Sequence, residues 1–280
     1  MSPAGIPASA IEIIRRALEE DIGSGDITTL TLIPEGVISR GRFIAKDTFI
    51  LAGLPFAREV FRMLDPSVQW SSFFTDGDRV NRGDSIAEVQ GETRVILSGE
   101  RVSLNILQRL SGIATLTAAY AEKIRGLKAR IVDTRKTAPG LRTMDKYAVK
   151  VGGGHNHRFG LFDGILIKNN HITAVGNVTE AIRRAKNAHH LAKIEIEVGD
   201  LITLAEAIEA GADIVMLDNM SVSDIEEAVR MVRGRIMLEA SGGINLANVR
   251  EVAATGVDLI SVGALTHSAP AVDISLHLVK

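Results

Sequence analysis

From residue 128 onward the chain repeats one rhythm, a short apolar run followed by polar residues and then an amphipathic stretch. The apolar runs are Ile131–Val132, Gly164–Ile167, Lys193–Val198, Asp213–Leu217, Arg235–Leu238 and Leu259–Val262. Helical spacing fills most of the gaps, at Val178–Asn187, Leu201–Ala210, Asp224–Val232 and Leu246–Ala254. A strand that returns to the same sheet through a helix must lie parallel to its neighbour, so this rhythm predicts a parallel α/β sheet. The runs end in polar residues: Asp133-Thr134-Arg135-Lys136, Lys168-Asn169-Asn170, Glu195 and Glu197, Asp218-Asn219, Glu239-Ala240-Ser241 and Gly263-Ala264. An open doubly wound sheet gathers its ligands at one crevice, whereas a barrel uses the C-terminal end of nearly every strand. The pattern therefore favours an α/β barrel.

The first third is built differently. Ile11–Leu18 has helical spacing, and Arg42–Lys46 and Phe49–Leu51 read as strands. Asp76–Leu97 alternates apolar and polar residues around Gly-Asp turns, which predicts a series of β-hairpins. Gly99–Ile124 reads as one long helix, with Ser111-Gly112 as a break point. The 280 residues allow one large domain or two modest ones. Hydrophobic residues reach 46% but aromatics only 4%, so the core is aliphatic. A formal net charge of -2 argues against nucleic acid or an anionic membrane as partner. Without cysteine, no disulfide, zinc-thiolate site or thiol nucleophile is possible, and a reducing cytosol fits. The N-terminal residues read as an amphipathic helix rather than a signal peptide. No apolar run approaches the ~20 residues that span a bilayer, so a soluble, cytoplasmic protein is expected.

Against that near-neutral whole, residues 132–160 gather Arg135, Lys136, Arg142, Lys146, Lys150, His155, His157 and Arg158, opposed only by Asp133 and Asp145. Such a cluster at a strand end suits a small, strongly acidic molecule. The Gly-rich run 152–154 matches neither a Walker loop nor a dinucleotide fingerprint. His155 and His157 have no third ligand at metal spacing, and His157 beside Arg158 reads better as an anion clamp. His189 and His190, just before a strand, read as surface residues. "ASGGIN" (240–245) and "SVGALTHS" (261–268) each follow a late strand, where backbone N–H groups can hold a phosphate. Glu195 and Glu197 share one strand face, and Asp218 ends the next strand. These acids can hold a ribose diol, a Mg²⁺ ion or a developing cation, or simply pair with Lys168. The predicted substrates carry several negative charges and a sugar phosphate.

At this point longer stretches become recognisable. "ERVSLNILQRLSGIAT", "DTRKTAPGLRTMDKYAVKVGGGHNHRFGLFDGILIKNNHI", "IEIEV", "DNM", "EASGGI" and "VGALTHSAPAVDISL" together resemble the quinolinate phosphoribosyltransferase family, in order and over nearly the whole chain. The resemblance implies an N-terminal α/β sandwich, residues 1–111 joined by 268–280, and an incomplete α/β barrel over residues 112–267. It implies phosphoribosyl transfer from phosphoribosyl pyrophosphate to quinolinate with decarboxylation, giving nicotinate mononucleotide, pyrophosphate and CO₂ in NAD biosynthesis, with Mg²⁺. It further implies a homodimer or higher homo-oligomer with shared active sites, Arg101 reaching into the neighbouring subunit's site.

By the same resemblance Arg135, His157 and Arg158 are the cations for quinolinate's carboxylates, with Lys136 and Lys168 close by and Arg142 another basic residue of the pocket. Thr134 stands with them, and Lys136, Lys168, Glu197 and Asp218 carry the catalytic roles. Glu197 and Asp218 lie near the ribose and metal, partly through water or substrate. Ser241, Gly242, Gly243, Val262, Gly263 and Ala264 form the phosphate turns.

Three rivals remain at the level of sequence. A related transferase acts on nicotinate, or a molybdenum-associated homologue shares the barrel, but a monoacid needs fewer cations than Arg135, His157, Arg158 and Lys168 supply. "GDRVNRGDSIAEVQG" is similar to a carrier-domain hairpin but lacks the modifiable lysine at its tip. A noncatalytic sugar-phosphate-binding protein would leave most of the charged set without a use.

Overall fold

Period-two patterning produces the strands of the first third, and a change to helical spacing ends them. The computed structural model describes residues 5–188 and 191–279, so His189 and His190 lie outside the described residues. The chain begins with helices α1 (Ala8–Ile22) and α2 (Ile27–Leu32), then strands β1 (Ile38–Ala45) and β2 (Phe49–Ile50). Helix α3 (Leu54–Leu64), strands β3 (Gln69–Ser72), β4 (Arg79–Val80) and β5 (Ser85–Glu92), and the long helix α4 (Thr93–Lys123) follow. Next come β6 (Arg130–Val132), α5 (Arg142–Val151), β7 (Ile165–Ile167), α6 (Asn169–Val175) and α7 (Val178–Ala188). The remainder is β8 (Ile194–Val198), α8 (Leu201–Ala210), β9 (Ile214–Asp218), α9 (Val222–Val232), β10 (Met237–Ser241) and α10 (Val249–Ala254). β11 (Leu259–Ser261), α11 (Ala264–His267) and β12 (Ile274–Val279) complete it.

These elements form two units. The first holds the chain up to Ala118, Thr137–Gly153, and everything from Leu265; the second holds Ala119–Lys136 and Gly154–Ala264. Segment 137–153, which carries α5 and Arg142, thus clusters with the first unit although it lies within residues 112–267.

In the first unit a four-stranded antiparallel sheet runs in the order β12-β1-β5-β3, and β2 pairs with β4. The C-terminal strand joins it, with Phe43 opposite Leu276 and Ala45 opposite Ile274. Phe43, Phe61, Ile86, Val89 and Leu107 form its buried core, and the Phe43 and Phe61 rings meet edge to face at 6.1 Å. Two expectations change here. The predicted hairpin series does not form: β4 pairs with β2, and β5 pairs with β1 and β3. The alternation is real, but the partners are distant in sequence, so local turns do not choose them. Residues 93–97 are helical, and α4 runs unbroken through Ser111-Gly112. Ser111 sits inside the helix because its hydroxyl bonds across to the Ala52 backbone, accepting its N–H at 3.0 Å and meeting its carbonyl at 3.2 Å. Gly112 sits there because the chain at Pro270 crosses directly over it.

Helix α5 is fixed by charge. Asp145 is fully buried and accepts two hydrogen bonds from the Arg109 guanidinium, at 2.9 and 2.8 Å. This planar two-point pairing is the geometry in which an arginine best compensates a buried carboxylate.

In the second unit six strands form one parallel sheet in the order β6-β11-β10-β9-β8-β7. The strands at its two edges are not paired with each other among the described residues, so the barrel is incomplete. At the β6 edge the chain near His155 adds a single parallel bridge to Val132. Among the described residues no helix is long and apolar enough to cross a membrane.

Gly112 tests the packing of α4. An alanine there would normally favour a helix by about 1 kcal/mol, yet its Cβ would lie 2.1 Å from the Pro270 carbonyl oxygen. Backbone cannot yield as a side chain can, so overpacking of about 1–3 kcal/mol should outweigh propensity. Gly112→Ala is expected to lower the urea unfolding midpoint; a midpoint equal to or above that of the parent would refute the contact.

Candidate active site

Parallel strands end level with one another, so residues at matched positions share a layer. Glu197 pairs with Met216, Met216 with Glu239, and Glu239 with Leu259. Lys168 follows the paired Ile167 and Ile196 and so stands opposite Glu197. One layer further along, Asp218 pairs with Ser241. Lys168, Glu197, Met216, Asp218, Glu239 and Ser241 line a cavity of about 600 Å³ at the C-terminal ends of the strands. Thr134, Arg135, Lys136, His157, Arg158, Lys168, Glu197, Asp218, Ser241, Gly242 and Gly243 all line it. Arg101, on α4, and Arg142, on α5, belong to the first unit. β11 brings Ser261 to the lining, and Val262, Gly263 and Ala264 follow it directly in the chain.

The cations are held in different ways. Lys168 Nζ donates to Glu197 at 2.6 Å, with the lysine half-exposed and the glutamate nearly buried. Arg158 Nη1 donates to the Gly164 carbonyl at 3.0 Å. Burial, followed by the charge of Arg135, lowers the proton affinity of the Arg158 guanidinium, and Glu195 and Asp163 partly offset this. The loop that carries Arg158 is pinned at both ends. Buried Asp133 accepts the His157 N–H at 2.9 Å, and Asp163 accepts the N–H groups of Phe159 and Gly160 at 2.6 and 2.8 Å.

The glycine turn after β10 is a matched fit. Gly242 has φ +90°, a conformation in which a side chain is strained, and a Cβ there would lie 2.2 Å from Asn219 Oδ1. Asn219 is itself left-handed (φ 56°). Its N–H donates to the Ser241 carbonyl at 2.9 Å and its side-chain amide to Asp218 at 2.9 Å. Two adjacent strand ends thus lock each other, and Gly242 and Gly243, both with positive φ, stand on the cavity wall where backbone N–H groups can approach phosphate oxygens. Glu197 and Asp218 offer carboxylate oxygens from adjacent strands into the same space, and hard oxygen donors near substrate phosphates suit Mg²⁺.

Sequence reasoning passed over three groups here. Asn219 was visible only as part of a polar strand end. Glu195 was read only through the face it shares with Glu197, not as a partner of His157, and Glu239 only as part of a polar strand end. His157 Nε2 lies 2.9 Å from Glu195 and 3.5 Å from Glu239. The donor atoms of the three groups lie within 4.8 Å of one another. Both Glu239 oxygens and Glu195 Oε1 are buried without a hydrogen-bond partner among the described residues. Burial, and then the charge of Glu195, push the Glu239 carboxyl well above the usual carboxylate range. The signal was available: Glu195 and Glu197 share a face, and register places Glu239 in the Glu197 layer. A second cavity of about 350 Å³ lies at the strand starts, lined by Arg130, Ile165, Lys193, Ile214, Met237 and Leu259 among others. His157, Arg158 and Glu239 line both cavities, so they form the partition between them.

Comparison with known proteins bears on this constellation. A model of the quinolinate phosphoribosyl transferase N-terminal domain matches residues 26–111, and one of the C-terminal domain matches residues 113–277. A probable nicotinate-nucleotide pyrophosphorylase (carboxylating) of Bacillus subtilis is 45% identical, covering 92% of this chain and 89% of its own. One of Methanocaldococcus jannaschii is 44% identical over 97% of this chain and 98% of its own. The solved nicotinate-nucleotide pyrophosphorylase of Francisella tularensis superposes with a TM-score of 0.92 at 42% identity, covering 98% of each chain. With both domains matched and relatives above two-fifths identity along nearly its full length, the chain belongs to the quinolinate phosphoribosyl transferase family.

Proposed function

We propose that the protein transfers the phosphoribosyl group of phosphoribosyl pyrophosphate to quinolinate and releases CO₂ and pyrophosphate, making nicotinate mononucleotide for NAD biosynthesis. The observation that carries this reading is the convergence of Arg135, Lys136, Arg158 and Lys168 with Glu197, Asp218 and the Gly242–Gly243 turn in one cavity. Planar carboxylates suit arginine forks, and the turn suits a ribose-bound phosphate. The pyridine nitrogen forms a bond to the ribose anomeric carbon while the bond from that carbon to pyrophosphate breaks. Positive charge gathers on the ribosyl centre, where the Glu197 and Asp218 carboxylates stabilise it. The ring nitrogen is then cationic and stabilises the electron pair left at ring carbon 2 as its carboxylate departs as CO₂; that carbon takes a proton. The protein supplies orientation and electrostatics rather than a general base.

Mg²⁺ belongs to the same proposal. Glu197 and Asp218 are the residues that would hold it, with substrate oxygens or water completing the shell, and it would neutralise the leaving pyrophosphate. So does a homodimer, or a higher assembly built from it, in which Arg101 serves the partner's cavity. In support, Arg101 is an exposed cation on α4. A groove lined by Ile13, Ala17, Val102, Ile106, Leu110 and Met144 lies on the first unit. A cytoplasmic location accords with a chain that has no cysteine.

The pure protein incubated with phosphoribosyl pyrophosphate, Mg²⁺ and equal quinolinate and nicotinate should consume quinolinate far faster, with CO₂ and nicotinate mononucleotide as products. Comparable use of both acids would overturn the substrate assignment. Loss of a buried charge-assisted contact costs roughly 1.5–3 kcal/mol. Arg158→Ala should therefore weaken quinolinate binding about tenfold or more, with phosphoribosyl pyrophosphate binding nearly intact by calorimetry. For the dimer, Arg101→Ala and Lys136→Ala should each be inactive alone. After subunit exchange about half the dimers are mixed, each with one of two sites free of both changes, so roughly a quarter of the activity should return. Exchange verified by mass without recovery would confine Arg101 to its own chain.

A further inference from the structure

Among the described residues two that are not glycine have a left-handed backbone, Asn219 and Arg233. Arg233 closes helix α9. Asn219 closes no helix; it follows the last residue of β9 and lines the substrate cavity. Asparagine tolerates this conformation better than most side chains do, and such an outlier in a cavity wall points to a task. The turn of the backbone aims the Asn219 N–H at the Ser241 carbonyl, 2.9 Å away. That bond lies one step beyond the last pair of the ladder, Asp218 with Ser241. The side chain is then left between two parts of the site. Its Nδ2 donates to Asp218 Oδ2 at 2.9 Å, and its Oδ1 stands 2.2 Å from where a Cβ on Gly242 would lie. The neighbours fix which end is which, because a carboxylate can only accept.

The two acids of the cavity are held differently. Glu197 takes a cation, Lys168 Nζ at 2.6 Å. Asp218 takes an amide, which orients a carboxylate without neutralising it. Its charge then remains for Mg²⁺ or for the ribosyl centre. The geometry points to Asn219 as a positioning residue for phosphoribosyl pyrophosphate. Its amide nitrogen sets the Asp218 carboxylate, and its amide oxygen walls the Gly242–Gly243 turn. One side chain thus fixes the spacing between an acid for the ribose or its metal and a backbone cradle for its phosphate. Arg135 and Arg158 are carried on the chain after β6, so the carboxylates of quinolinate do not depend on this lock.

The inference rests on the reading of phosphoribosyl pyrophosphate as substrate for its kinetic arm only. Asn219→Gly keeps the left-handed backbone and its N–H but removes the amide. It should raise the KM for phosphoribosyl pyrophosphate about tenfold, the loss of one hydrogen bond to a charged group, and leave that for quinolinate within about twofold. Asn219→Asp, which keeps the shape but turns an oxygen toward Asp218, should do the same and serves if another variant fails to fold. Asn219→Ala adds backbone strain to the same loss and should be the worst of the three. Parent-like kinetics in Asn219→Gly beside a defective Asn219→Ala would mean that only the backbone matters, and would overturn the inference. Equal rises in both KM values would do so too. Gly242→Ala should displace the Asn219 amide, so adding Asn219→Gly to it should cost less than about twofold more. Multiplication of the two losses would mean that the turn and the acid are set independently. In a crystal of ligand-free Asn219→Gly the Asp218 carboxylate should have left its present orientation. An unmoved Asp218 would refute the inference whether or not the protein is active. Absence of any phosphoribosyl transfer in the parent would defeat the functional reading and leave that crystal to decide this one.

Discussion

The second unit depends on two carboxylates buried where an α/β barrel normally packs aliphatic side chains. Glu195 is 5% exposed and Glu239 is fully buried. Removing an ionised carboxylate from water costs several kcal/mol unless partners replace the lost hydration. The neighbouring strand positions include Leu166, Ile214, Met216, Met237 and Leu259, which offer nothing polar, and Ser261 on β11, whose hydroxyl alone cannot replace the lost hydration. Relief must come from the strand ends and from the loop over the open edge of the sheet. That is where His157, Arg158, Arg135 and Lys168 stand. Burial and the charge of Glu195 also raise the proton affinity of Glu239, which eases the cost of holding it as an anion.

The same constraint explains why residues 154–164 are so heavily tied down. An unsupported loop would let the arginine of the partition turn out to solvent and leave Glu195 with less compensation. Asp133 and Asp163 prevent this by capping backbone N–H groups on either side of Arg158. Asp133, which in the sequence looks like simple opposition to a basic cluster, is thus, together with Asp163, a support for the chain that carries it.

How much of this was legible depends on the range of the interaction. Five of the six strands of the second unit fall within a residue of the apolar runs, because parallel strands buried on both faces need continuous apolar sequence, and β10 runs three residues past Leu238 to Ser241. The polar strand ends identified the cavity wall for the same reason. In the first unit the period-two alternation was legible, but the pairing of β4 with β2 was not, since antiparallel partners are chosen across the core. Ser111-Gly112 misled as a helix break because its cause, the backbone near Ala52 and Pro270, lies far away in sequence. Asn219 was hidden by its neighbour: its left-handed backbone and its fit against Gly242 exist only once β9 and β10 are side by side.

The charged groups of the cavity differ in how easily they can change partners, and this difference suits a reaction in which charge moves. The half-exposed Lys168–Glu197 pair meets water on the lysine side, and such pairs contribute about 0–1 kcal/mol. An incoming carboxylate can therefore draw on Lys168 at little cost, and Glu197 is then available to a developing ribosyl cation. Among the described residues, Asp218 is likewise held by a neutral amide, that of Asn219. Arg158 is the opposite case, restrained by Gly164 and carried on a loop held by Asp133 and Asp163. A fixed cation can define where one carboxylate lies, and exchangeable pairs beside it can follow the charge as the bond to pyrophosphate breaks. Preorganisation is thus concentrated on the loop over the open edge of the sheet, and adaptability on the strand ends of β8 and β9.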